Sequence, residues 1–159
     1  MAEFKPCAMS QTEFLRTNFF ELAINEIGGF EIQNTNIPNW VVNPIEVGHG
    51  NIKTKHAGTV NVEDWEIGLL DLVDLSTSSK LQQWYELCYN WSAGGFLGLA
   101  SSYKKDGTLT EYAPTGTEQN QYTLKGCWIT NIQFGDLSYE DGDKKIMTVT
   151  LSVDCVEHL

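Results

Sequence analysis

The chain is short of positive charge and of long apolar runs. Ten Lys and Arg stand against 21 Asp and Glu, a formal net charge of −11 over 159 residues. Tight nucleic-acid binding draws its affinity from Lys and Arg neutralising phosphates, so DNA and RNA are excluded as firmly held ligands. Anionic membrane surfaces are disfavoured on the same ground. No apolar run reaches the roughly 18 residues of a membrane span, and no membrane partner is expected. The opening MAEFKPCAMSQTEF has no basic segment followed by an apolar core. No secretory signal is therefore expected, and a cytoplasm is the expected place of synthesis and folding.

Cysteine is sparse too. Cys7, Cys88, Cys127 and Cys155 lie far apart without CxxC spacing, which favours reduced thiols over a disulfide framework. Cys88 falls on an apolar helical stripe and Cys155 extends the apolar row of the last strand, so both are expected to pack like small hydrophobes. Cys7, in an N-terminal arm, is the thiol expected to react.

Catalytic signatures are missing. His49, His56 and His158 have no cysteine at zinc-binding spacing. There is no GxSxG, GxGxxG or GxxxxGK[ST], so neither a nucleophile elbow nor a bound nucleotide is expected. Glu63-Asp64 and Glu140-Asp141 are paired carboxylates that could in principle serve a glycosidase, but neighbours on a strand point to opposite faces, so Glu63 and Asp64 cannot form a dyad there and are expected to be solvated. Neither an enzyme nor a cofactor is expected. Of the five tryptophans, Trp65, Trp84 and Trp128 sit in apolar stripes. Only Trp40 and Trp91 are expected to be exposed, a thin basis for a sugar-stacking face. A monomeric β-domain binding sugar or protein stands as the alternative of another class.

What is present is alternation. Phe20, Leu22 and Ile24 share one face of a strand over 18–25, with Glu21 on the other. Gly28-Gly29 reads as a turn into a second strand, 30–34. Pro38 and Pro44 bracket Trp40–Val42, which reads as a connector or edge. Strands are expected at about 45–53 and 58–70, where Trp65, Ile67 and Leu69 alternate with Glu66 and Gly68. Between them runs a polar connector with Gly48, Gly50 and Gly58, longer than the usual hairpin loop of about 2–5 residues. A connector of that length reads as a protrusion that touches something. A helix is expected over 79–91, with Leu81, Trp84, Tyr85 and Cys88 on one stripe, a Ser79–Gln82 capping box at its start and Gly94-Gly95 after its end. Asp71 and Asp74 lie where negative charge suits its dipole. The stretch 92–120 reads as a surface excursion or irregular hairpin. Strands resume at 121–134 and 145–156, with Asp141-Gly142 as a hairpin turn. Met147, Val149, Leu151, Val153 and Cys155 line one face of the last. The expected fold is mainly β (α+β): an antiparallel β-sandwich or barrel-forming subunit with one flanking helix and a long protruding hairpin, 45–58. Residues 1–17 form an arm and 18–159 a single domain.

In order along the chain, Asn18-Phe19-Phe20, Ile37-Pro38, Ile45-Glu46-Val47-Gly48, Asn51-Ile52-Lys53, Ala57-Gly58 and Asp64-Trp65 are followed by the helical Trp84. Leu124-Lys125-Gly126-Cys127-Trp128-Ile129-Thr130-Asn131 and Val149-Thr150-Leu151-Ser152-Val153-Asp154 complete the series. Together these resemble the tail tube protein of contractile-tailed, T4-like bacteriophages, related to type VI secretion tube proteins. Ile129 stands where proline is expected in such a motif, and 92–120 carries almost none of the likeness. The resemblance implies a virion tail component whose copies close hexameric rings, their pooled strands forming an inner barrel. The rings would stack into a hollow tube through which DNA passes without specific binding. The implied partners are other copies, a contractile sheath protein, a baseplate or tube initiator and a tail terminator. A type VI-like injection tube or a tube-initiating baseplate ring is the alternative. On this reading Val47, Gly48, His49, Gly50, Asn51, Lys53, Lys55 and His56 contact the neighbouring ring. Glu21, Glu66 and Asp154, on polar strand faces, are candidates for the lumen wall.

Overall fold

A computed structural model describes residues 15–25, 28–29, 32–71, 77–92, 94–140 and 142–159. In chain order the elements are β1 (Phe20–Ile24), β2 (Gly28–Gly29), β3 (Ile32–Thr35), β4 (Trp40–His49), β5 (Ile52–Val62) and β6 (Trp65–Leu70). Then come α1 (Thr77–Cys88), β7 (Tyr89–Asn90), β8 (Phe96–Leu97), α2 (Ala100–Tyr103), β9 (Lys105–Tyr112), β10 (Glu118–Gln133), β11 (Ile146–Ser152) and β12 (Cys155–His158). The architecture is the expected antiparallel β-fold with a flanking helix.

The strands pair in the order β2-β1-β9-β10-β11-β6-β3, with β12 also on β10. β10 belongs to two sheets. Its first half pairs with β9 and β12, and its second half with β11. The break between the halves is local: pairing with β9 shifts between Leu124 and Cys127, and Gly126 takes φ 69°. Only glycine adopts that conformation without strain. The Gly126 N–H donates to Asp106 Oδ1 at 3.1 Å, and a Cβ on Gly126 would collide with the Asp154 carboxylate. β10 therefore folds the sheet onto itself, as bulges do elsewhere in strands that change sheet.

The core lies between the two sheets. Leu22, Ile24, Leu109 and Leu124 meet Trp65, Ile67, Leu69, Met147, Val149 and Leu151, and α1 adds Leu81 and Trp84. A void of about 10 Å³ remains among Leu22, Ile67, Trp84 and Leu151, too small and too apolar to hold a bound water. The indole N–H of Trp84 donates to the Tyr103 carbonyl at 2.7 Å, which ties α1 to α2.

Several sequence readings are corrected. Gly28-Gly29 is no turn but pairs with Ala23 and Ile24. The second strand is Ile32–Thr35, packed on β6. Of the two readings of Trp40–Val42 the edge holds and the connector does not: it is the start of β4, an edge strand of a two-stranded ribbon, which Pro44 enters at a bulge. Gly48 to Gly58 is not a loop: it is strand on both sides of the two-residue turn Gly50-Asn51. The helix spans 77–88, so Ser79 is inside it; Gln82 donates to Glu86 Oε1 at 3.3 Å and forms no capping box. Gly94 and Gly95 lie in the β7–β8 turn, not at the helix end. Lys145 Nζ pairs with Asp71 at 3.1 Å, and Asp74 lies outside the described residues. The stretch 92–120 is no surface excursion, because β9 is a central strand between β1 and β10; its 105–120 part is the irregular hairpin that was the other expectation, β9 pairing antiparallel with the start of β10 through a register shift. The last strand breaks at Asp154, which reverses the alternation: Val153 is buried, Val156 half-buried, and Cys155 exposed rather than in the core. Cys88 is half-buried. Cys7, most of the arm and Asp141 of the expected turn lie outside the described residues.

Two consequences can be measured. Gly126→Ala places a side chain in a left-handed conformation against Asp154, and is expected to lower unfolding free energy by about 1–3 kcal/mol, read as a lower urea midpoint. Burial, with the Asp106 and Asp154 carboxylates adding to it, pushes the Cys127 thiol up to about 12. At pH 8 the folded protein is expected to take iodoacetamide at Cys155 and not at Cys127. Peptide mapping before and after denaturation checks this.

Candidate assembly surfaces

Among the described residues β4 and β5 pair only with each other, from Trp40 opposite Val62 to His49 opposite Ile52. Ten residues of strand give the ribbon a length of roughly 33 Å. Its root is fixed: Pro38 is fully buried, the Trp65 indole N–H donates to the Asn36 carbonyl at 2.6 Å, and the Glu63 N–H donates to the Asn39 carbonyl at 2.9 Å. Beyond the root both faces are open. The pairing puts Ile45, Val47 and Ile52 on one face with His49, Thr54 and His56. Glu46, Lys53 and Lys55 stand on the other, with Lys53 and Lys55 at 3.7 and 4.0 Å from Glu46. Such exposed pairs add little stability. Gly50 turns the tip at φ 60°.

All eight residues expected at an inter-ring contact, from Val47 to His56, therefore cluster in the distal half of the ribbon. The exposure of Trp40 in its proximal half is as expected, whereas the strand pairing there was missed. Trp40 is 53% exposed and Val60 59% exposed, on the same face, and Val41 and Val42 are also exposed. The alternation Val60-Asn61-Val62 was a usable signal, whereas Trp40-Val41-Val42 does not alternate and stands between two prolines.

The three wall candidates are not brought together. Glu21 lies on the outer face of the β1-β9-β10-β12 sheet, where its carboxylate accepts the Tyr112 hydroxyl at 3.0 Å. That bond raises the Tyr112 pKa. Glu66 lies on the outer face of the other sheet, opposite Thr150, beside a polar groove formed with Asn34, Gly68 and Thr148. Asp154 is not on a strand face at all. It occupies the bend after β11 and takes Lys104 Nζ at 2.6 Å, raising the lysine's pKa.

Two further exposed apolar patches lie off the ribbon; of their residues only Trp91 was expected to be exposed. One comprises Leu87, Leu97 and Leu99 with Trp91, which is 75% exposed and packs edge-on to Tyr89. The other is the 134–145 connection, with Phe134, Leu137 and Tyr139. Exposed apolar area on this scale marks contact surfaces. Among the described residues no three His, Cys, Asp or Glu side chains converge as a metal site, and no helix is long and apolar enough to cross a membrane.

Comparison with known proteins accounts for this geometry. Residues 16–157 match the family described as T4-like virus tail tube protein gp19. No curated protein matches. Among solved structures, a chain of the PVC sheath/tube terminator of an extracellular contractile injection system superposes with a TM-score of 0.75 at 14% identity, covering 94% of this chain and 99% of that one. A chain of the sheath-tube complex of the same kind of system reaches 0.71 at 14% identity, covering 99% of each. Hcp1 from Flavobacterium johnsoniae reaches 0.55 at 9% identity, over 91% and 94%. At such identities these likenesses establish the shared fold, whereas the family match covers nearly the whole chain. The chain belongs to the T4-like virus tail tube protein gp19 family.

Proposed function

We propose that this chain is the tube subunit of a contractile phage tail, closing hexameric rings that stack into a hollow tube, with the β4–β5 ribbon as the arm that grips the next ring. The observation that carries the reading is the ribbon itself. A lone two-stranded ribbon is marginal in water, and this one exposes apolar side chains on both faces from Trp40 to Val60. Its contact with another copy is heterologous, the kind that propagates instead of closing on itself.

The ribbon prolongs β3 and β6, so strands of the β10-β11-β6-β3 sheet run toward the neighbouring ring. That supports this sheet as the subunit's share of the inner barrel. β3 and the second half of β10 are its outer strands and are available to pair with adjacent subunits. The wall would then carry Asn34, Thr148, Thr150 and Ser152, with Glu66 as its negative charge. Sparse negative charge on an uncharged polar surface lets DNA pass without sites that hold it. Glu21, on the other sheet, and Asp154, tied to Lys104, leave the wall in this arrangement. A sheath and a terminator are the remaining partners that the names of the similar assemblies suggest, and a baseplate or tube initiator completes the reading. Those names equally suit a type VI-like or extracellular injection tube, and genome neighbours distinguish the two settings.

Ile45→Asp with Ile52→Asp is expected to leave a folded subunit with an unchanged melting temperature. Hollow tubes or rings should be lost under conditions where the parent chain forms them, as seen by negative-stain electron microscopy. Tubes as abundant as the parent's would remove the ribbon from the assembly contact. Glu66→Lys is expected to keep the tubes and slow genome ejection, and an unchanged ejection rate would take Glu66 off the wall.

A further inference from the structure

We propose that the ribbon of one copy docks on the 134–143 loop of a copy in the next ring, apolar side chains against apolar and lysines against carboxylates. This rests on the stacked-ring reading and names the partner surface of its arm.

The placement comes from strand register. β3 leads into the ribbon and β6 leaves it at the end of the sheet where Trp65 lies opposite Leu151. The 134–145 connection joins β10 to β11 at the other end, where Gln133 lies opposite Thr148 and Ile146 opposite Leu70. Identical rings stacked head to tail bring one end of each subunit against the opposite end of the next. Donor and acceptor surfaces must therefore sit at opposite ends, and these two do.

The chemistry matches as well. Leu137 is 87% exposed and Tyr139 fully exposed, and Ile52 at the ribbon tip is 69% exposed. Asp136, Glu140 and Asp143 enter no ion pair among the described residues. The two lysines that follow are turned away: Lys144 donates to Gln33 Oε1 and Lys145 to Asp71 Oδ2, both at 3.1 Å. Asp143 Oδ1 accepts the Lys144 backbone N–H at 2.7 Å, so the loop offers chiefly the Asp136 and Glu140 carboxylates, outside any ion pair among the described residues, beside apolar side chains. The ribbon offers Lys53 and Lys55 with only Glu46 between them.

The rival acceptor is the patch around Trp91. It carries no charge from Leu87 to Tyr103. Tyr103 packs on Trp128 with ring centres 5.7 Å apart, and Trp128 pairs with Ser152 at the ribbon's own end of the sheet. A head-to-tail stack would not bring the ribbon there.

Charge reversal tests the pairing in the full-length chain. K53E/K55E and D136K/E140K are each expected to reduce pelletable tubes at least tenfold at low ionic strength, and the four changes together to restore them. Restoration is the expected result, since opposite charges are regained in swapped positions. Either pair alone assembling like the parent, or the combined variant staying unassembled, would overturn the proposal while parental tubes keep the stacked-ring reading intact. A parent chain that forms no tubes or rings at any concentration would overturn both. Circular dichroism melts confirm folding. If a reversal melts early, the neutral K53A/K55A and D136N/E140N serve in its place, and undiminished pelleting by either would equally overturn it.

Discussion

A two-stranded ribbon cannot bury its own side chains. Every residue of β4 and β5 has water or another molecule on at least one side, and the pairing spreads apolar groups over both faces. The hydrophobic effect assigns roughly 25 cal/mol to each Å² of apolar surface removed from water. Leaving Trp40, Ile45, Ile52 and Val60 exposed therefore costs free energy that burial against a partner surface would recover. The subunit is incomplete by construction, and the rest of the fold serves to hold that incompleteness in a fixed direction. The buried Pro38 and the Trp65–Asn36 hydrogen bond anchor the ribbon to the core at its root. Its aim is thus set by the sheet, and a pre-aimed arm loses less entropy on docking than a flexible one.

That sheet depends in turn on the bend in β10. One strand supplies Leu124 to one layer and Ile129 to the other, with Cys127 buried between them. The crossing works because Gly126 takes a backbone conformation closed to other residues, and because charged side chains gather around it. Asp106 accepts the Gly126 amide, and Asp154 takes Lys104. Lys125 bonds Glu157 at 2.8 Å on the adjoining strand. These pairs are solvent-exposed and individually weak. Their effect is positional: they fix where β11 ends and β12 begins. They also account for the position of Asp154, polar and near the end of an alternating strand, which lies at the bend after β11 and not on a strand face.

The sheets were legible where alternation was strong. β1, β6 and β11 each carry three apolar residues at period two, and all of these are buried or packed against the core. β9 was not legible, because Leu109 is its one large apolar inward residue, with Gly107 beside it and Thr110 buried on the other face. A central strand can be poor in apolar residues when its neighbours supply the volume, and periodicity does not register that. The ribbon's length was visible but its nature was not: glycines at 48, 50 and 58 suggested loop, yet only Gly50 needs a positive φ. Gly58 is instead crowded by the Asn43 carbonyl and Ile45 across the ribbon, a close-approach glycine within a strand. Cys155 was misplaced because a two-residue break after Ser152 reverses which side chains face inward. The eight contact candidates proved spatially contiguous because a hairpin keeps sequence neighbours together. The three wall candidates did not, because residues distant in sequence share a face only through pairing that no local pattern records.

Charge closes the account of why such a subunit does not simply aggregate. Its open strand edges and exposed apolar patches are hazards for any β-protein. A net charge of −11 makes every unspecific encounter between copies repulsive at moderate salt. The ribbon is the exception, since residues 40–62 hold two lysines against one glutamate. Approach is therefore least opposed when the ribbon leads, and the same apolar groups that would cause disordered association are presented on the element least repelled by another copy. Repulsion over the body and tolerance at the arm select one geometry of contact among many, which is what an ordered tube requires of its subunit.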